Sequence, residues 1–162
     1  MSIIPELQRK RQAFVNRSLE NKQQIQNFER SYESLRNFKG TVERSQDDFH
    51  SVNSKKSEIL AEVEDVMKNS KTAQRYDAGM KNVFTGVGSK IVGYAYSVFL
   101  ANISARLRKY EREINTCDND IAYCSRKINE IDRDISAAMA AEEAEKAAAD
   151  AERLANAAAG GR

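Results

Sequence analysis

The chain has 162 residues, 26 Lys and Arg against 24 Asp and Glu, one His, two Cys, one Pro and no Trp, with 41% hydrophobic and 31% charged residues. One domain is the default at this length, and a net charge of +2 gives no field that argues for nucleic acid or an anionic membrane as partner. One His and two Cys argue against a metal site and exclude a disulfide framework, so packing must hold the fold and no cofactor is expected.

The opening segment MSIIPELQRKR turns basic where a signal peptide would become apolar, and no apolar run reaches the roughly 20 residues that span a bilayer. The expectation is a soluble chain made in the cytoplasm, without membrane insertion, whose export would need a route independent of a cleaved signal. Pro5 suits a helix start, because its missing N–H falls among donors that lack partners in a first turn, and Ser2 is placed to cap. From there Ile4, Leu7, Phe14, Ile25, Phe28, Tyr32, Leu35, Val42, Phe49, Leu60, Val63 and Met67 fall on two alternating heptad positions. Arg11, Ser18, Asn21, Lys39, Gln46, Asn53 and Lys56 interrupt the same seam. Ile3, Phe38, Val52, Ile59 and Val66 repeat at the adjacent position and widen the stripe enough to touch two helices. Gly40 weakens the helix by about 1 kcal/mol relative to Ala and is the expected bend.

The pattern lapses after Met67. Lys68-Asn69-Ser70-Lys71-Thr72 and Asp77-Ala78-Gly79 suit a helix end, and the chain is expected to reverse before residue 88. Beyond it, Tyr96, Leu100, Ile103, Leu107, Tyr110, Ile114, Cys117, Ile121, Cys124, Ile128, Ile131, Ile135 and Ala138 occupy every successive seam site without a polar interruption. The predicted fold class is all-α: a long antiparallel two-helix, coiled-coil-like hairpin over residues 1–136. Its parts are a helix over about 4–68, a turn region over about 69–87 and a helix over about 88–136. At 1.5 Å per residue, an arm of about 60 residues is about 90 Å long. Residues 137–162 form an Ala-rich charged tail, helical and frayed before Gly160-Gly161, which buries little.

Few features carry chemistry. Cys117 and Cys124 share one heptad position about 10.5 Å apart along a helix and cannot bridge each other; they read as buried seam residues or as partners of a thiol on another chain. His50 has no second ligand or nucleophile near it in sequence and reads as a surface residue. Arg9-Lys10-Arg11 lies among acidic residues, as a solvated helix face does, which argues against nucleic acid. Gly86-Val87-Gly88-Ser89-Lys90 lacks the spacing and the preceding strand of a phosphate loop. No paired carboxylates are marked by an apolar pocket, so the chain is expected not to be an enzyme.

The segment from Ile91 to Ala101 is apolar on nearly every face, and a two-helix hairpin hides only one stripe per helix. Tyr76, Met80, Val83 and Phe84 could fold back over part of it. Another chain is the favoured cover, and the broad stripe at Val52, Ile59 and Val66 would lie at the same end of the hairpin.

Phe84-Thr85-Gly86 stands at the reversal, followed by small and aromatic residues. This order of parts resembles the WxG superfamily of helical hairpins that work with bacterial type VII secretion, and more specifically the small helical proteins encoded beside LXG-domain toxins. The resemblance covers about residues 5–136, with Phe84 in place of the Trp. The Y-x-x-x-[DE] pattern of many exported members is absent, since no Tyr or Phe here has Asp or Glu four residues later. The resemblance then implies an accessory chain that pairs with the helical N-terminal domain of an LXG-type toxin, with or without a second small helical protein, and presents it for export. On that reading Val52, Ile59, Val66, Phe84, Gly86, Ile91, Tyr94, Val98 and Phe99 contact the partner. The alternative is a self-associating coiled-coil scaffold, in which the same belt makes a homo-oligomer.

Overall fold

The computed structural model of the chain describes residues 2–66 and 68–159, with side chains to residue 157. Met67 of the expected seam and Gly160-Gly161 of the tail lie outside the described residues. The described residues are all-α and form three helices, α1 (Ile4–Val66), α2 (Lys71–Thr85) and α3 (Val87–Ala159). At the start of α1 the Ser2 hydroxyl accepts from the Ile4 amide at 3.3 Å, and the Ile3 carbonyl accepts from Glu6 and Leu7. Pro5 falls in that first turn, where its missing donor leaves nothing unpaired. The helix runs unbroken through Gly40. α3 continues through the Ala-rich segment, where high helix propensity sustains it although residues 147–157 are all exposed.

Contacts divide the chain into two units, one of residues up to Asn27 with residues from Glu113 onward, the other Phe28–Arg112. In the first unit two polar residues of the α1 seam, Arg11 and Asn21, find partners on α3. Arg11 donates to both carboxylate oxygens of Asp132, at 2.6 and 3.4 Å. Asp120 accepts from Arg17 and from the Asn21 amide at 2.5 Å. Phe14 meets Tyr123 edge to face, Cys117 donates weakly to Gln24, and Ile131 is buried. A polar interruption therefore acts here as a register pin, because a one-turn slip would strand each of these groups without its partner.

In the second unit α1 and the first third of α3 are antiparallel, since the pairings Tyr32 with Glu111, Phe38 with Phe99 and Asn53 with Ser89 run in opposite numerical directions. Its core is Val42, Ile103 and Leu107, flanked by the half-buried Tyr32, Leu35, Tyr96 and Leu100. All seven are seam residues read from the heptad.

The turn region holds α2, a 15-residue helix, where the lapse of periodicity predicted a turn. Ser70 starts it by accepting from the Ala73 amide, and Gly79 lies inside it rather than ending it. Tyr76, Met80 and Phe84, spaced four apart on one face, pack against Lys56, Ile59, Leu60 and Val63 of α1. Lys81 ties the two helices together, bonding Asp77 at 2.8 Å within α2 and Glu64 on α1. Asp77 is buried, and its Oδ1 has no hydrogen-bond partner.

Gly86 alone separates α2 from α3. Its amide donates to the Asn82 carbonyl at 2.9 Å, and its own carbonyl accepts from Lys90 at 3.2 Å. A Cβ at Gly86 would overlap the Asn82 carbonyl oxygen and stand 2.9 Å from its carbon, so the close approach at this joint admits only glycine.

Candidate functional site

At 100° per residue, Tyr96, Leu100, Ile103 and Leu107 form the α3 stripe that meets α1. Val92 and Phe99 fall beside that stripe, while Ile91, Tyr94 and Val98 fall on the side away from it. The structure leaves all five uncovered, from 40% exposure at Val92 to 62% at Ile91 and 72% at Tyr94. Within residues 71–157 an 18-residue stretch reaches a mean hydropathy of 1.2, apolar and long enough by composition to cross a membrane, and none of its residues is buried. Apolar surface that dense is normally removed from water, at roughly 25 cal/mol per Å².

α2 does not provide the cover. Phe84 is drawn back onto α1, its ring 5.0 Å from the Lys56 ammonium, and with Tyr76 and Met80 it lines a groove of about 340 Å³ against Ile59, Leu60 and Val63. Tyr76 and Val83 stay exposed. Of the residues read from the sequence as partner contacts, Phe84 is thus half-buried in the α1–α2 packing, and Gly86 has a steric role at the α2–α3 joint. Val52, Ile59 and Val66 lie exposed along α1, Val66 at 86%.

The structure adds residues to this surface. Phe38 on α1 meets Phe99 on α3 edge to face at 6.1 Å, so the widened stripe of α1 and the flank of α3 share one side of the second unit. Ile91, Val92, Ala95, Tyr96 and Phe99 line an open, almost wholly apolar groove of about 480 Å³ on that side. A second groove of about 600 Å³ lies between Arg30, Ser31, Ser34, Leu35 and Phe38 of α1 and Arg106 and Tyr110 of α3. Phe38 was legible as a member of the widened stripe. Its pairing with Phe99 needed the register between helices, which no single segment contains.

The titratable groups do structural work. Hydrogen bonding from Arg17 holds the Asp120 carboxyl below its ordinary value, and Glu111 holds the Tyr32 phenol above its own by accepting a hydrogen bond from its hydroxyl. Burial pushes the Cys117 thiol up, and Cys124 is fully buried. His50 is exposed against the ring of Phe49. Among the described residues no group of three His, Cys, Asp or Glu side chains is placed to hold a metal ion. The chain matches no family model, no curated protein and no solved structure.

Proposed function

We propose that this chain is a non-enzymatic helical targeting factor, a chaperone that binds the helical N-terminal domain of an LXG-type toxin and presents it for type VII secretion. One observation carries the reading: the side of the second unit around Ile91, Tyr94, Val98 and Phe99 stays exposed although α2 lies next in the chain and packs elsewhere. Long helices with an uncovered apolar side join bundles with other helices, because that is the arrangement that dries a helical stripe without opening backbone hydrogen bonds. The resemblance of Phe84-Thr85-Gly86 and its flanking helices to the WxG superfamily supplies the partner class.

Co-expression with the helical domain of an LXG toxin encoded beside this chain tests the proposal. A stable complex that Phe99→Asp abolishes, with helicity retained, is the expected result. A soluble homo-oligomer that ignores the toxin domain contradicts the reading and assigns the same surface to self-association.

A further inference from the structure

The residues of α2 and α3 carry a second apolar row besides the stripe that meets α1. Met80, Phe84, Val87, Ile91, Tyr94, Val98, Ala101 and Ala105 follow one another at alternating spacings of four and three, the heptad repeat, with Asp77 and Arg108 at the next sites on either end. In one unbroken helix all of them would share a face. The structure divides them at Gly86. Met80 and Phe84 are turned onto α1 and Asp77 is buried, whereas every row member from Val87 to Arg108 is exposed, Val87 at 70%. One torsion makes the division. Gly86 has a φ of −80°, close to helical, and a ψ of −161°, about 120° from helical. The bonds on either side of it, from the Gly86 amide to Asn82 and from the Lys90 amide to Gly86, already have α-helical spacing. Turning that ψ to the helical value joins α2 to α3 and brings Met80 and Phe84 into line with Val87 and Ile91. It gives up their contacts on α1 and releases Asp77, whose Oδ1 is buried without a hydrogen-bond partner.

The joined row is complementary to itself. Set antiparallel against its own copy, about a two-fold axis between Val92 and Gly93, it pairs Ile91 with Tyr94, Val87 with Val98, Phe84 with Ala101, Met80 with Ala105 and Asp77 with Arg108, each pair twice. Large side chains meet small ones in the outer layers. The orphaned Asp77 oxygen meets a guanidinium that is exposed and has no ion-pair partner among the described residues. The flanking cations Lys81, Lys90 and Arg106 fall opposite Ser104, Ala95 and Gly79 rather than one another. A parallel pairing would set Asp77 on Asp77, Arg108 on Arg108 and Phe84 on Phe84. We infer that α2 and α3 straighten at Gly86 and that the joined row docks antiparallel on the same row of a second copy, over about 47 Å of helix from Asp77 to Arg108. The order of bulk and charge selects the second copy, because an unrelated helix would have to reproduce that order in reverse. This inference goes beyond the proposed function and does not depend on it; a toxin helix would compete for the same row.

The test is sedimentation equilibrium of the full chain across the micromolar range. The native chain is expected to show a monomer–dimer equilibrium, and Ile91→Asp, at an exposed site, to abolish the dimer with circular dichroism unchanged. Gly86→Ala is expected to raise the association constant by about tenfold or more, because a Cβ there is excluded from the bent joint and fits a straight helix. Val87→Cys and Val98→Cys, both at exposed sites, report the register. Oxidised as a mixture, they are expected to give the mixed disulfide well ahead of either homodimer, since only the mixed pair shares a layer. A native chain that stays monomeric, a dimer that Ile91→Asp leaves intact, or association unchanged or weakened by Gly86→Ala overturns the inference. So do homodimeric disulfides in excess of the mixed one. A monomer that still binds the toxin domain overturns the inference and leaves the proposed function standing. A dimer of this register that ignores the toxin domain has the opposite meaning.

Discussion

At the scale of single residues, the polar members of the α1 seam explain how a heptad with many interruptions still defines one register. Arg11, Asn21 and Asn53 each meet a partner on α3, namely Asp132, Asp120 and Ser89. Asp120, held below its ordinary value chiefly by the Arg17 hydrogen bond, contributes stability that is complete above about pH 4 and is lost as pH falls through its folded value. Urea titrations between pH 7 and pH 2 are expected to show that acid loss, and Asp120→Asn to make the acid limb shallower. A variant with an unchanged acid slope would remove Asp120 from the account. The thiols give a second check. Cys124 is 0% exposed and burial raises the Cys117 thiol, so both are expected to react with a thiol reagent orders of magnitude more slowly in buffer than in denaturant. A disulfide-linked dimer on a non-reducing gel of freshly purified protein would contradict their placement.

At the scale of helices, the period decided how much could be read. The α3 seam from Tyr96 to Ala138 and its partners on α1 were legible because an uninterrupted heptad has one structural solution, and Val42, Ile103 and Leu107 fall where it places them. α2 was not legible. Its 15 residues present only one short apolar row, Gly79 argues locally against helix, and the contacts that secure it come from α1 through Leu60, Val63 and Glu64. The exposed side was legible as surplus hydrophobicity, but the share contributed by Phe38 depends on the register between helices. Two nearby glycines separate local propensity from tertiary constraint. Gly86→Ala is expected to destabilise the chain by about 1–3 kcal/mol, because its Cβ would overlap the Asn82 carbonyl. Gly88→Ala, within α3 and with nothing near its Cβ, is expected to stabilise by about 0.5–1 kcal/mol. Chemical denaturation measures both, and equal effects of the same sign would refute the assignment of Gly86 to the joint.

For the molecule as a whole, packing and binding should separate cleanly under mutation, because the buried stripe and the exposed side of the second unit are made by different residues. Leu107→Ala removes a buried side chain and is expected to cost about 2–3 kcal/mol in the free chain. Phe99→Asp alters a half-exposed ring and is expected to cost about 1 kcal/mol or less, while removing the centre of the apolar side. The most direct measurement of the central claim is light scattering after gel filtration of the full chain, alone and mixed with the helical domain of an LXG-type toxin, the proposed partner, for the native sequence and Phe99→Asp. A mixed complex is predicted for the native sequence and none for the variant, at equal helicity. A complex of undiminished amount with Phe99→Asp, or no complex with either, would contradict the claim that this apolar side is where the partner docks.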